Sequence, residues 1–269
     1  MADQQDLAEI ERIAVELANV AGAEITLALG RILDVRYKEE LDPDQPYRDP
    51  VSEVDDRVEK LIRARLAEIF PTHGIIGEEM DEELPQDSDF VWAIDPVDGT
   101  ANFVNGFPLF SASIGVLHKG VPVVGALWCA ASHALRPGVY HGRQGGRLMF
   151  ENVAVEPRRN PLVRRRLVGM PQPVQGWGLW ETRKTGSAAI ECAFVAAGLL
   201  EAARFNTPNI WDVAGGIALA QIAGARVFTR AEDWAEFTGF GAPAQLARWK
   251  QPLILGHSEP ALLLEHLGQ

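Results

Sequence analysis

The chain has 269 residues, 47% of them hydrophobic, and carries 25 Lys and Arg against 37 Asp and Glu for a formal net charge of −12. That apolar content supports a sizeable core and excludes a disordered chain, while the acidic balance argues against nucleic-acid binding, which needs a clustered basic face to neutralise phosphates. No run approaches the roughly 20 apolar residues of a membrane span, and "MADQQDLAEIERIAVELA" at the start is acidic and amphipathic, so a cytoplasmic protein with no membrane association is expected.

Cys129 and Cys192 both lie in apolar stretches and are read as buried, reduced thiols, with no zinc-type spacing. Single cores rarely grow past roughly 250–300 residues, so two packed halves are expected, 1–150 and 151–269.

In chain order, Leu7, Ile10, Ile13, Leu17, Val20 and Ile25 recur at helical spacing and predict an amphipathic helix from residue 4 to near Gly30. The polar "DVRYKEELDPDQPYRDP" reads as a mobile loop. Val54, Val58, Leu61, Ile62, Leu66 and Ile69 predict a second helix, which a Ser52/Asp55 capping box starts and Pro71 stops.

"GIIGEE" and "DFVWAID" read as strands that deliver carboxylates at their ends. "FSASIGVLHKGVPVVGALWCAAS" predicts an antiparallel pair turning at Lys119-Gly120, and "GVYHGRQGGRLMF" continues in the same style. From about residue 151 helices and strands alternate through "RRLVGMP", "GSAAIECAFVAAG", "LLEAARF", "WDVAGGIALAQIAG", "ARVFT", "PLILGH" and "PALLLEHLG". The fold class is therefore α/β: an α+β first half and an α/β second half. The basic run "EPRRNPLVRRR" is read as a solvated loop and strand edge.

The chemistry concentrates in "WAIDPVDGTANFVNGFP". Pro96 disfavours a helical Asp95, which should end a strand, and suits the second position of a type I turn that returns Asp98 beside Asp95. Two carboxylates that close repel unless a cation or proton lies between them, and such hard oxygen ligands select magnesium or calcium. Gly99 permits close backbone approach to a ligand, and a helix opening at Thr100 offers unpaired N–H groups to a phosphate. The competing reading makes Asp98 a helix cap and Asp95 a turn residue.

"DPVDGTANF" resembles the Asp-Pro-x-Asp-Gly-Thr signature of the inositol monophosphatase family of magnesium-dependent, lithium-sensitive phosphatases; "GEE" (77–79) and "WDVAGG" (211–216) match its two other signatures in order. The resemblance implies a five-layer αβαβα sandwich of the inositol monophosphatase and fructose-1,6-bisphosphatase type, assembled as a homodimer. It implies that Glu78, Asp95 and the Val97 carbonyl hold one magnesium, that Asp95, Asp98 and Asp212 hold a second, and that a third, weaker ion lies near Glu78.

By the same resemblance, Asp55 and Thr100 orient the attacking water, with Glu78 completing the catalytic set, and Lys38 is a candidate basic residue near the third ion. Gly99, Thr100, Asp98, Asp212, Ser187 and Ala188 fall on the substrate side. Glu79 is expected to be an exposed neighbour, not a ligand.

One departure bears on the substrate. Inositol-specific members carry a glutamate seven residues before the Trp-Asp aspartate, and here Phe205 stands there. A buried polyol hydroxyl left without its acceptor costs about 1–3 kcal/mol. Arg204, Phe205 and Asn206 would suit an aromatic, anionic or amide-bearing alcohol, and Trp177 and Trp180 are read as packing residues ahead of pocket walls. "GRLMFENVAVEPRRNP" also replaces the family's Gly-Ala-x-x-Asn-Gly turn. The expected activity is magnesium-dependent hydrolysis of a small phosphorylated metabolite. The alternatives are a 3′-phosphoadenosine nucleotidase, a histidinol-phosphate phosphatase, or a metal-binding scaffold without turnover.

Overall fold

The structure, a computed structural model, describes residues 2–38, 47, 49–80, 88–157, 160–172 and 180–268. Among these the helices are α1 (Gln4–Ala28), α2 (Glu53–Ile69), α3 (Thr100–Val104), α4 (Ala188–Ala196), α5 (Ile210–Ile222), α6 (Pro243–Leu246) and α7 (Pro260–Leu267). The first strands are β1 (Val35–Tyr37), β2 (Pro50–Ser52), β3 (Gly74–Gly77), β4 (Phe90–Asp98), β5 (Ser111–His118), β6 (Val121–Cys129), β7 (Gly138–Arg143), β8 (Met149–Phe150) and β9 (Val153–Ala154). The remainder are β10 (Arg166–Gly169), β11 (Trp180–Arg183), β12 (Ala202–Phe205), β13 (Arg226–Arg230), β14 (Trp234–Glu236) and β15 (Leu253–Gly256).

α1 forms where the 3.6-residue apolar period predicts it. Asp3 accepts from the Gln5 N–H at 3.1 Å to start it, and Leu7, Ile10, Ile13, Leu17 and Ile25 are buried against β5, β6 and β7. Val20 drifts off that stripe and lies 38% exposed. Small residues let the helix approach closely: a Cβ at Gly22 would fall 2.2 Å from the Trp128 indole nitrogen. α2 starts on the Ser52/Asp55 capping box and lays Val54, Val58, Ile62 and Leu66 against the same face.

A seven-stranded sheet runs in the order β3-β4-β5-β6-β7-β8-β9, antiparallel except where β3 pairs parallel with β4. Lys119 and Gly120 turn the β5–β6 hairpin, both with positive φ. On the other face lie α4 and α5, whose sequences "AAIECAFVA" and "IWDVAGGIALAQI" are apolar nearly all round because both sides are covered. Gly115 and Gly215 bring sheet and helix into backbone contact, since a Cβ at Gly115 would fall 2.4 Å from the Gly215 nitrogen.

Beyond these helices is a mixed six-stranded sheet in the order β11-β10-β12-β15-β13-β14, with Phe205, Val227, Leu253 and Leu255 facing back to α5. α7 covers its outer face through Leu263 and Leu267. The layers are thus helix, sheet, helix, sheet, helix, the expected αβαβα sandwich.

Several short elements differ from the sequence reading. Residues 35–37, expected in a loop, pair antiparallel with β2, Val35 opposite Ser52; residues 39–46 and 48 of that loop lie outside the described residues. β11 and β14 are edge strands of three or four residues, too short and polar to carry a period. Both cysteines are buried and free, as expected, and among the described residues no helix is long and apolar enough to cross a membrane.

Candidate active site

The segment "DPVDGT" does not form the expected turn. β4 continues through Asp98, and a bulge accommodates the proline. Asp95 pairs with Ser113 and Asp98 with Ser111, so Pro96 and Val97 oppose the single residue Ala112. Pro96 has no N–H to give the ladder, and the Val97 N–H turns instead to Asp95 Oδ1 at 3.1 Å. In a regular strand, residues three apart point to opposite faces; one extra residue restores Asp95 and Asp98 to the same face. The chain then bends at Gly99, φ 86°, where a Cβ would crowd the Gly186 and Leu109 carbonyl oxygens at 3.2 Å.

The second half meets Asp98 there. Ala188 N–H donates to Oδ1 at 3.1 Å, Ala189 N–H to Oδ2 at 2.8 Å, Ser111 Oγ to Oδ2 at 2.9 Å, and Ser187 Oγ also donates to Oδ2. Gly99, Ser187 and Ala188, placed on the substrate side by the sequence, thus surround a carboxylate. Asp212 enters from the first turn of α5, held by the Asn209 N–H at 2.8 Å in a capping box. Ser113 Oγ donates to the Trp211 carbonyl at 3.1 Å and ties this helix start to β5.

Glu78 follows β3, with its N–H on the Ile94 carbonyl at 3.2 Å, and so stands beside Asp95. Lys38, next to β1, reaches Glu78 Oε1 at 2.7 Å and Glu79 Oε1 at 3.0 Å. Glu79 is not the exposed neighbour expected: its side chain is 4% exposed, paired with Lys38 and with Arg36 at 3.6 Å. Burial pushes its carboxyl up to about 7 despite Lys38.

Asp55 is fully buried and does two jobs. Its Oδ2 accepts from the Ser52 N–H at 2.9 Å, completing the cap of α2, and from Ser52 Oγ at 2.5 Å. Its Oδ1 lies 2.9 Å from Thr100 Oγ1, which is also 2.8 Å from the Val97 carbonyl oxygen. Thr100 has one proton for these two acceptors. Burial raises Asp55 to about 6.

The electrostatics at the centre are one-sided. Burial first, then Glu78, Asp98 and Asp212, lift Asp95 well above the ordinary carboxylate range. Burial and the Asp98 and Glu78 charges push Asp212 up to about 8, and burial raises Asp98 in spite of its four donors. Among the described residues no group of three His, Cys, Asp or Glu side chains stands in a finished ligand arrangement, since Asp98 is turned to its donors and Glu78 to Lys38. The donor chemistry nevertheless fits a divalent hard cation: oxygen ligands and three mutually repelling aspartates, with the Lys38 ammonium on the Glu78 side.

Phe205, expected on the substrate side, is 8% exposed and packed among core residues such as Val213 and Leu253. Arg204 and Asn206 line a cleft of about 160 Å3 with Met170, Pro171 and Gln172. Trp180 is a packing residue, its ring 5.4 Å from His266; Trp177 lies outside the described residues. The sequence reading missed Ser111, Ser187 as a ligand of Asp98, and Arg36. Nothing local marks a serine whose partner is 76 or 13 residues distant from it.

The sequence profile of the inositol monophosphatase family matches residues 6–255. The chain is 33% identical over 250 residues to a Pseudomonas aeruginosa protein named Nus factor SuhB, covering 83% of this chain and 87% of that one. It is 33% identical over 201 residues to Inositol-1-monophosphatase SuhB of Mycobacterium tuberculosis, covering 66% and 68%. The solved structure of a Thermotoga maritima IMPase superposes with a TM-score of 0.70 at 25% identity, over 94% of this chain and 92% of that one. With the family profile spanning most of the chain and the layer order in agreement, this protein belongs to the inositol monophosphatase family.

Proposed function

We propose that this chain is a magnesium-dependent phosphomonoesterase acting on a small soluble phosphate monoester. The observation that supports the reading is the gathering of three aspartates, Asp95 and Asp98 on one face of the bulged β4 and Asp212 at the start of α5, with Glu78 beside Asp95 after β3. Burial raises each aspartate, and acidic neighbours raise Asp95 and Asp212 further. In this reading those four side chains and the Val97 carbonyl hold two magnesium ions, with room for a third near Glu78. Bound magnesium supplies neutralisation of the phosphate charge and acidification of a coordinated water.

The chain's own groups do the rest. Asp55 draws the Thr100 proton, leaving Thr100 Oγ1 as an acceptor that orients the attacking water. Gly99 allows the phosphate to approach the backbone, and the donors around Asp98 fix its carboxylate in one orientation. Relatives named inositol-1-monophosphatase support the reaction class. Phe205 stands where inositol-specific relatives carry a glutamate, and this departure motivates testing alcohols other than inositol, with 3′-phosphoadenosine and histidinol phosphate the leading alternatives.

Release of phosphate from a panel of polyol, sugar, nucleotide and amino-alcohol phosphates with magnesium tests the reading, and silence across the panel sinks it. The same reading carries inhibition by lithium, a cytoplasmic location and a homodimer; light scattering on the purified protein tests the last.

A further inference from the structure

α2 carries a buried ion pair that the proposed chemistry does not use. Glu59 is 0% exposed and Arg63, one turn later, is 7% exposed. Arg63 Nε donates to Glu59 Oε1 at 2.8 Å. Taking both charges out of water costs several kcal/mol per ion, and an apolar pair of similar volume commonly packs as well or better. The retained pair therefore calls for a use, and its remaining contacts supply one.

Both members are aimed at backbone. Glu59 Oε2 accepts from the Glu79 N–H at 2.8 Å, and Arg63 Nη2 donates to the Met80 carbonyl at 2.8 Å. On the other side of Glu78, the Glu59 carboxylate presses on Gly77, where a Cβ would fall 2.0 Å from Oε1. Glu78 itself is anchored to the sheet through the Ile94 carbonyl. Its backbone is thus fixed by the sheet ahead and by the ion pair behind, against the pull of Lys38 on its side chain.

We propose that Glu59 and Arg63 are positioning residues for Glu78: the pair locks the 77–80 backbone so that the Glu78 carboxylate is presented to the metal-binding cluster. This rests on the reading of that cluster given above. Partners that orient metal ligands typically set affinity by about 10–100-fold, so the pair should act on magnesium binding more than on folding.

The test is the double variant Glu59→Leu/Arg63→Met, which removes both members of the pair together. Magnesium titration calorimetry on metal-free protein should show binding weakened about 10–100-fold, with a melting temperature at or above that of the wild type. Amide exchange at Glu79, read without metal, should accelerate. At saturating magnesium, kcat should return to within about threefold of wild type, since the ligands themselves are intact.

Magnesium affinity within about twofold of wild type in the folded variant would overturn the proposal. If the double variant does not fold, Arg63→Lys serves, because an ammonium that keeps Glu59 company cannot span to the Met80 carbonyl as the guanidinium does. It should lose about tenfold in affinity, and wild-type binding by it overturns the inference equally. Wild-type protein that binds no magnesium and releases no phosphate is a separate result, which removes the reading of the cluster and this inference with it.

Discussion

Two clusters of buried charge lie on the seven-stranded sheet, and they follow opposite rules. At one, Glu11 of α1 meets His141 Nδ1 at 2.7 Å and Arg143 of β7. The other ring nitrogen of His141 lies 2.5 Å from the Glu151 carbonyl oxygen, so it donates there while Nδ1 faces the Glu11 carboxylate, an arrangement that favours the protonated ring. Burial opposes both charges, but the mutual hydrogen bonds outweigh it, lowering the Glu11 pKa and raising that of His141.

At the other cluster, around Asp95, the neighbours are acids, and every shift that is resolved for Asp95, Asp98 and Asp212 runs upward. The first cluster sets charge against opposite charge and joins α1 to the sheet. The second sets acid against acid at its aspartates, a repulsion that protons or an added cation would relieve, and it is there that a functional site is expected.

The sharpest way to break this comparison is to change the acidic cluster. Asp98→Asn keeps the shape and an acceptor for most of its four donors but removes a charge. Phosphate release should fall by about a thousandfold or more, with the melting temperature unchanged or raised because a buried repulsion is gone. Retention of turnover by a folded Asp98→Asn protein would exclude the proposed role. Next in size, Thr100→Ala or Asp55→Asn should each cost about a hundredfold in kcat. Thr100→Ser, which keeps the hydroxyl, should recover most of it.

How much of this was readable in the chain follows from range. The helices are legible because burial of one stripe imposes a 3.6-residue period, and α2 announces its own start in Ser52 and Asp55. Glu78, Asp95, Asp98 and Asp212 stand out because each sits in a short motif that resembles one of the family's signatures. The bulge at Pro96 was not legible: a proline between two aspartates is compatible with a turn or a bulge, and only the pairing with β5 decides. Glu79 was misjudged for a similar reason. Its burial is imposed by Lys38 and Arg36, some 40 residues earlier, which leave no mark near the glutamate.

A smaller effect separates the clusters by pH. A carboxyl whose pKa is raised in the folded state binds more protons folded than unfolded between its two values, so stability falls as pH rises through that interval. For Asp55 the interval runs from 3.8 to about 6, and for Asp212 from 3.8 to about 8. Metal-free protein should therefore melt roughly 5 °C lower at about pH 8.5 than at about pH 5.5. Magnesium should close most of that gap. A metal-free melting temperature that rose with pH over this range would contradict the picture of unmatched acids.

The cluster of opposite charges should give the mildest response and a different pH signature. Glu11→Gln keeps the volume and one acceptor but leaves His141 and Arg143 without their anion, a loss of about 1–3 kcal/mol for hydrogen bonds to a charged group. Arg143 is 35% exposed, so water offsets part of it and the lower end of that span is expected. The sign follows from the two shifts. Glu11, lowered, contributes above its ordinary 4.5 and is lost as pH falls; His141, raised, contributes below its ordinary 6.5 and is lost as pH rises through its folded value. The deficit of Glu11→Gln in denaturant unfolding should thus be greatest between those two values and shrink on both sides, while phosphate release stays at the wild-type level. A deficit that stayed level through alkaline pH would mean that His141 is neutral in the folded protein and that Arg143 is the cation Glu11 answers.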